Sequence, residues 1–216
     1  MHHKLRFILF AMLVGCVATT AAQTTPSPER VRATLSTDLG DITVAVFPKA
    51  APLSACDFLA YIDEGLYRNA SFYRVVRSDN DRGTPKIEVV QGGLPDDAKQ
   101  RPPIAHETTR MTGLTHNDGS LSLARAEVGT GGGAAFFIVI GKQPSLDFGG
   151  ARNKDGQGFA AFGRVIEGMS VVKRIHAIKD AAPTDDEYLR GQVLANPVAI
   201  KDAKRIDPLP EVCKRK

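Results

Sequence analysis

Residues 71–76 have the sequence SFYRVV, in which aromatic and β-branched side chains surround a single arginine, Arg74. This composition is typical of a β-strand. Taken alone, Arg74 would be interpreted as an exposed strand arginine whose aliphatic stem covers apolar neighbours. The remaining sequence therefore decides whether the strand belongs to a larger β-structure and whether the arginine has a function.

Further strand patterns lie on both sides of this stretch. On the N-terminal side, residues 31–35 and 42–46 alternate between apolar and polar types around Asp38-Leu39-Gly40, a pattern typical of a β-hairpin. On the C-terminal side, strand-like composition recurs at residues 87–90, 120–126, 135–140, 159–166 and 197–206. About eight strands are enough to close a barrel that its own side chains fill.

Two helices are predicted among these strands. Pro52 suits the first turn of a helix, apolar residues recur after it at helical spacing, and Gly65 ends the pattern. The second helix is predicted near residues 169–176, where Val171 and Ile175 would pack inward. The predicted fold class is mainly β, with an eight-stranded closed barrel whose open ends are capped by two α-helices.

The composition of the 216 residues is that of a globular protein, with 43% hydrophobic and 24% charged residues. The length suits one domain with short extensions. The net charge of +4 includes Lys4 and Arg6 of the N-terminal segment, so the rest carries only +2. We therefore expect no nucleic-acid partner. Nothing in the sequence demands more than a monomer.

No metal site or hydrolase site is predicted. His106 and His116 lie in predicted loops without further cysteines or histidines at the spacing of zinc ligands. Ser120 and Ser122 have no histidine and aspartate at a known motif spacing, so a catalytic triad is not predicted.

The N-terminus resembles an export signal. Lys4 and Arg6 precede an apolar run, residues 7–17, which is too short to span a bilayer as a helix. Small residues, Thr20-Ala21-Ala22, then offer a cleavage site. This pattern predicts a signal over residues 1–22, a linker over residues 23–30, and an exported, periplasmic protein without a transmembrane span.

A second interpretation of the same segment stays open. Leu13-Val14-Gly15-Cys16 resembles the bacterial lipobox, in which the cysteine carries the lipid. The signal would then cover residues 1–15, and Cys16 would anchor the protein to a membrane. Cys56 and Cys213 are the other cysteines, and export permits a disulfide between them without requiring one.

Four stretches resemble, in the same order, the motifs of the cyclophilin family. They are residues 72–76 (FYRVV, family F-H-R-V-I), 89–93 (VVQGG, family M-x-Q-G-G), 119–126 (GSLSLARA, family G-x-x-S-M-A-N/R-A) and 134–138 (AAFFI, family S-Q-F-F-I). Residues 146–147 and 159–169 match two further runs of the family. Each motif alone is weak, but the ordered set is highly specific.

The resemblance implies a fold, an activity and domain limits. The family fold is an eight-stranded antiparallel barrel with two capping helices, which agrees with the elements predicted above. The family isomerises X-Pro bonds without a metal or cofactor, so the implied partners are proline-containing polypeptides. The catalytic domain would span residues 31–178. Residues 179–216 would form a C-terminal extension that includes the last strand and a basic tail.

The resemblance also implies a role for each residue of the site. Arg74 would be the catalytic residue and would stabilise the twisted imide in unfolded or extended chains. Phe137 would form the floor of the proline pocket, and Gln91 would bind the substrate backbone or orient Arg74. The remaining substrate-binding residues implied by the family are Val89, Leu146 and Phe159 in the pocket walls and the backbone of Ala124, Arg125 and Ala126. The side chain of Arg125 is expected to point to solvent.

Two departures from the family motivate an alternative function. The polar insert at residues 77–86 falls where the family supplies a pocket phenylalanine, and Glu88 takes the aligned place. Ala135 replaces a glutamine that bonds substrate in the family. The alternative is a chaperone module that binds proline-containing peptides with weak or no turnover.

Overall fold

The computed structural model describes residues 30–94 and 100–214. The predicted export signal and Cys16 lie outside the described residues, as do all but the last residue of the predicted linker. Arg215 and Lys216 of the basic tail also lie outside them.

Eight strands of the described chain form a closed antiparallel barrel. The strands are β1 (Val31–Thr37), β2 (Gly40–Val46), β3 (Ser71–Val76), β4 (Val89–Gly93), β5 (Ser120–Leu123), β6 (Ala135–Val139), β7 (Ala160–Glu167) and β8 (Val193–Arg205). Their order around the barrel is β1-β2-β7-β5-β6-β4-β3-β8, and β8 pairs with β1 to close it. The predicted eight-stranded closed barrel is confirmed.

The first two strands form the hairpin that the alternating pattern predicts. Val31 pairs with Val46 at one end of the ladder, and Thr37 pairs with Gly40 at the turn. The Thr37 hydroxyl donates to the carbonyl of Gly40 at 2.7 Å, and Gly40 has a φ of +120°. A side chain at that φ would be strained, so the glycine is required for this turn.

Aromatic side chains fill the barrel. Phe58 packs against Phe136 and Phe162 with ring centroids 5.3 and 5.1 Å apart, and all three side chains are fully buried. Successive residues of a strand point to opposite faces. Phe136 accordingly lies in the barrel core, and Phe137 lies in a separate apolar cluster outside it.

Four α-helices accompany the barrel within the described residues: α1 (Pro52–Asp63), α2 (Thr109–Thr112), α3 (Met169–His176) and α4 (Glu211–Lys214). The two longer helices, α1 and α3, are those that the sequence predicts. The first turn of α1 has no side-chain cap of its own. The buried carboxylate of Glu107 accepts instead from the N–H groups of Leu53 and Ser54, which the helix geometry leaves without partners.

The last strand begins earlier than its sequence pattern suggests. Strand β8 starts at Val193, four positions before the predicted start, and pairs with both β1 and β3. Pro197 interrupts the strand pattern. The register between β8 and β3 shifts between Phe72 and Arg74. A proline is tolerated at such an irregularity because it has no N–H to donate. The barrel thus extends beyond residue 178, the predicted end of the catalytic domain.

A disulfide joins Cys56 of α1 to Cys213 of α4, with the Cα atoms 5.1 Å apart. The bond settles the pairing that the sequence left open, and it closes a loop between residues 157 positions apart. None of the helices described is long and apolar enough to cross a membrane. Within the described ranges, no group of three His, Cys, Asp or Glu residues is arranged to hold a metal ion.

Loss of the disulfide should destabilise the fold, because the bond restricts the unfolded chain over a long loop. We expect the Cys56→Ala/Cys213→Ala double variant to have a free energy of unfolding lower by about 2–4 kcal/mol. Denaturant titration of the variant and the wild type measures this difference. Wild type under reducing conditions is the control and should match the variant. An unchanged midpoint in both samples would contradict the prediction.

Candidate active site

A groove of about 650 Å³ lies on the outer face of the barrel. All nine predicted site residues line it: Arg74, Val89, Gln91, Ala124, Arg125, Ala126, Phe137, Leu146 and Phe159. A larger cavity of about 880 Å³ near Arg32 and Lys49 contains none of them. We therefore take the smaller groove as the candidate site, because it contains the catalytic and binding residues that the motifs predict.

The register of three neighbouring strands brings the central residues together. Arg74 of β3 pairs with Gln91 of β4, and Gln91 pairs in turn with Phe137 of β6. Paired residues on adjacent strands share one face of a sheet. Arg74, Gln91 and Phe137 therefore form a single row across the outer face. Residues that are 63 positions apart in the chain become neighbours through pairing alone.

The floor of the groove is apolar. Phe137 is 5% exposed and meets the ring of Phe159 edge to face, with centroids 5.3 Å apart and planes at 89°. Val76, Val89 and Leu146 belong to the same cluster. A small apolar pocket of this kind can accept a ring such as that of proline.

His116 supports this floor from the side. Its ring stacks on Phe137 at 6.0 Å, and its two nitrogens lie 2.7 Å from Asp147 Oδ1 and 3.0 Å from Ser122 Oγ. The structure thus assembles a serine, a histidine and an aspartate that no sequence motif indicates. Ser122 is fully buried and His116 is 1% exposed, so the hydroxyl cannot reach a substrate as a nucleophile must.

Arg74 is held by two glutamine side chains. Its Nη1 donates to Gln91 Oε1 at 3.0 Å, and its Nε and Nη2 donate to Gln192 Oε1 at 3.0 and 2.6 Å. The guanidinium also lies over the ring of Tyr188, 5.5 Å from its centroid. Of the two roles considered for Gln91, the geometry shows the contact with Arg74. Gln91 is itself oriented by a 2.9 Å bond to the Tyr73 hydroxyl.

The model of the family described as cyclophilin type peptidyl-prolyl cis-trans isomerase/CLD matches residues 32–205. The chain belongs to the cyclophilin-type peptidyl-prolyl cis-trans isomerases. The match runs to the end of β8, which agrees with the role of that strand in closing the barrel.

Relatives of the chain agree with this family. It is 30% identical over 202 residues to a peptidyl-prolyl cis-trans isomerase A of Dickeya dadantii, covering 90% of this chain and 97% of that protein. It is 32% identical over 148 residues to an Escherichia coli isomerase B, covering 67% and 84%. A cyclophilin-type isomerase structure from Cryptosporidium parvum shares the fold, with a TM-score of 0.60, 20% identity, and coverage of 83% and 99%. The protein is thus an isomerase enzyme, and the alternative of a binding module is not favoured.

One cyclophilin groove residue differs in orientation from the prediction. The side chain of Arg125 does not point to solvent, since it is only 2% exposed. It lies over the ring of Phe159 and donates to both carboxylate oxygens of Asp155, at 2.8 and 2.9 Å, and to the carbonyl of Gly158. The loop at residues 148–158 returns to the groove and supplies these acceptors. Arg125 therefore braces the pocket wall.

The insert at residues 77–86 does not line the groove but bonds to Arg152, which does. Its Asp81 accepts two bonds from Arg152, at 2.7 and 2.8 Å, and both side chains are buried. Arg152 also donates to the carbonyl of Pro85 and the hydroxyl of Tyr188. One guanidinium thereby joins the insert, the loop at residues 148–158 and the segment before β8.

Eight lining residues of the groove were missed by the sequence reasoning: Val76, Ile87, Glu127, Arg152, Asn153, Lys154, Asp155 and Tyr188. Ile87 supplies apolar surface beside the insert, and the aligned Glu88 instead accepts from the N–H of Ser78 at 3.3 Å. Gln192 was missed as well. No local signal marks it, because it is 118 positions from Arg74 and its contacts depend on the closure of the barrel.

The Asp81–Arg152 pair predicts a pH dependence of stability. Burial raises the pKa of Asp81, but the bonds from Arg152 and from the N–H groups of Gly83 and Ile87 hold this pKa below its ordinary value. Such a carboxylate contributes its full stabilisation above its unfolded pKa of about 3.9 and loses it as the pH falls through the folded pKa. Below about pH 4, the free energy of unfolding should therefore fall less steeply in Asp81→Asn than in wild type.

Denaturant titration at a series of pH values measures this difference. Asp185→Asn is the matched control, because Asp185 is exposed and has no ion pair with any described residue. The control should follow the wild-type profile. Parallel profiles for Asp81→Asn and wild type would show that the pair does not control acid stability.

Proposed function

We propose that the protein accelerates rotation about X-Pro bonds in unfolded or extended chains, with Arg74 stabilising the twisted imide. Amide resonance sets a barrier of about 18–20 kcal/mol to this rotation. The uncatalysed reaction therefore takes roughly tens to hundreds of seconds. No covalent bond has to break, so the enzyme needs only to bind the twisted state better than the planar states.

A cation beside the proline nitrogen meets this need. As the C–N bond twists, resonance is lost and the nitrogen gains a localised lone pair. A donor directed at this lone pair interacts more strongly with the twisted imide than with either planar isomer, and this difference lowers the barrier. Arginine suits the task because it stays protonated and presents its donors in a fixed plane.

The position of Arg74 beside the Phe137 floor is the observation that carries the proposal. A proline ring on Phe137 would place the imide next to the guanidinium in the same row of the sheet. Three of the five N–H donors of Arg74 bond to glutamine oxygens. The other two donors have no partner among residues 30–94 and 100–214 and are available to a ligand in the groove.

The rim of the groove supports an extended substrate. Strand β5 ends at Leu123, and residues 124–126 continue along the groove, with Ala126 exposed. A chain in extended conformation can lie beside such a segment in the manner of an added strand. A folded segment would not present its backbone in this way, so we expect unfolded or extended proline-containing polypeptides as substrates.

We also propose that the protein acts outside the cytoplasm, in the periplasm. The N-terminal pattern of Lys4, Arg6 and the following apolar run supports export. The disulfide between Cys56 and Cys213 adds support, because structural disulfides persist in oxidising compartments.

Removal of the guanidinium tests the proposed role. We expect kcat/KM of Arg74→Ala to be about a hundredfold lower than that of wild type, comparable to loss of an electrostatic donor at a reacting centre. A protease-coupled assay of proline isomerisation measures it. Arg164→Ala is the matched control, because Arg164 is an exposed strand arginine outside the groove. Equal rates for Arg74→Ala and the control would refute the assignment.

A further inference from the structure

We propose that Gln192 is a positioning residue for Arg74, and that its neutral amide orients the guanidinium without offsetting its charge. This inference rests on the proposed function of Arg74. Gln192 lies in the segment just before β8, outside the four motifs that mark the site, and its side chain is fully buried.

The orientation of the Gln192 amide is determined from both ends. Its Nε2 donates to the carbonyls of Asn80 and Tyr188, at 3.0 and 2.8 Å. Rotation of the amide by half a turn would place its oxygen against those two carbonyl oxygens, so the bonds hold the oxygen towards Arg74. There Oε1 receives both Nε and Nη2 of the guanidinium.

The backbone of Gln192 is fixed as firmly as its side chain. Its carbonyl accepts from the N–H of Val75, the residue after Arg74, at 2.8 Å. Its N–H donates to the carbonyl of Leu189 at 2.9 Å. The side chain that orients Arg74 is thereby anchored to the strand that carries Arg74, so the two groups keep a constant relation.

The partners of Arg74 in the described residues are neutral. They are the amide oxygens of Gln91 and Gln192 and the ring of Tyr188. The other groove arginines differ, since Arg125 pairs with Asp155 and Arg152 pairs with Asp81. A carboxylate beside Arg74 would compete with the lone pair of the twisted imide for the same charge. Neutral acceptors give the orientation and leave the charge for the reaction.

The hydrogen bonds of Gln192 also connect the insert at residues 77–86, which departs from the family pattern, to Arg74. Asn80 belongs to the insert at residues 77–86, and Tyr188 belongs to the segment that precedes β8. Both supply carbonyl acceptors to Gln192. The insert therefore contributes to the position of Arg74.

The test compares Gln192→Ala with Asn196→Ala. Asn196 carries an amide side chain four positions further along the chain, bonds to Asp180 at 2.6 Å and lies outside the groove, which makes it a matched control. We expect kcat of Gln192→Ala to fall by about tenfold, as for loss of hydrogen bonding to a charged group. Peptide affinity should stay within about twofold, and Asn196→Ala should keep kcat within about twofold of wild type.

Nuclear magnetic resonance gives a readout that is independent of turnover. The Arg74 Nε–H signal can be assigned by its absence in Arg74→Lys. We expect its exchange with solvent to be about tenfold faster in Gln192→Ala than in wild type and to be unchanged in Asn196→Ala. An unchanged signal in Gln192→Ala, or equal kcat values for the two variants, would overturn the positioning role.

The Gln91→Glu variant tests the part played by charge and keeps the size of the side chain. Its carboxylate can accept from Arg74 Nη1 and from the Tyr73 hydroxyl, so the Arg74 Nε–H signal should stay protected while kcat falls. Wild-type kcat in this variant would overturn the claim that neutrality matters. If wild type and Arg74→Ala isomerise substrate equally, the proposed function fails, and the exchange measurement still decides whether Gln192 orients Arg74.

Discussion

The site depends on the guanidinium of Arg74 being held between the oxygens of Gln91 and Gln192. A free arginine on a barrel surface would sample many rotamers and would pair with the nearest carboxylate. Here two buried or half-buried amides, each oriented by a further hydrogen bond, hold one conformation and add no charge. An orientation set before substrate arrives need not be formed during the reaction, which is the basis of electrostatic catalysis.

The barrel supplies both halves of this arrangement. Pairing of β3 with β4 places Gln91 beside Arg74, and pairing of β3 with β8 brings Gln192 to the other side. Local sequence around residues 71–76 cannot produce the site, because β3 must first pair with β4 and with the distant strand β8. Pairing of β4 with β6 places Phe137 beside Gln91, on the side away from Arg74. The apolar floor and the cation therefore keep a fixed separation.

The features that could be predicted from the sequence are those that depend on residues close together in the chain. The hairpin at β1 and β2 and the helices α1 and α3 follow from alternation, helical spacing, Pro52 and Gly40. Nine of the groove residues were predictable because they lie within ordered family motifs. The orientation of Arg125 was not predictable, since it depends on where a long loop brings Asp155. The start of β8 was missed because Pro197 masks the strand pattern.

The features that the sequence left open or did not indicate share a physical cause. The disulfide, the contact of Gln192 with Arg74 and the Asp81–Arg152 pair join residues between 71 and 157 positions apart. Such contacts depend on the closed barrel rather than on the residues nearby in sequence. The insert at residues 77–86 appeared in the sequence as an interruption beside the catalytic strand. In the structure its two buried residues, Asn80 and Asp81, connect it to Gln192 and to Arg152 of the groove.

The most direct test separates binding from rotation in Arg74→Ala. Exchange spectroscopy on a proline-containing peptide measures the Kd of the complex and the on-enzyme isomerisation rate in the same sample. Differential stabilisation of the twisted imide predicts that the on-enzyme rate falls by about a hundredfold while Kd changes less than about fivefold. A Kd that rises in step with the loss of kcat/KM, at an unchanged on-enzyme rate, would contradict the account.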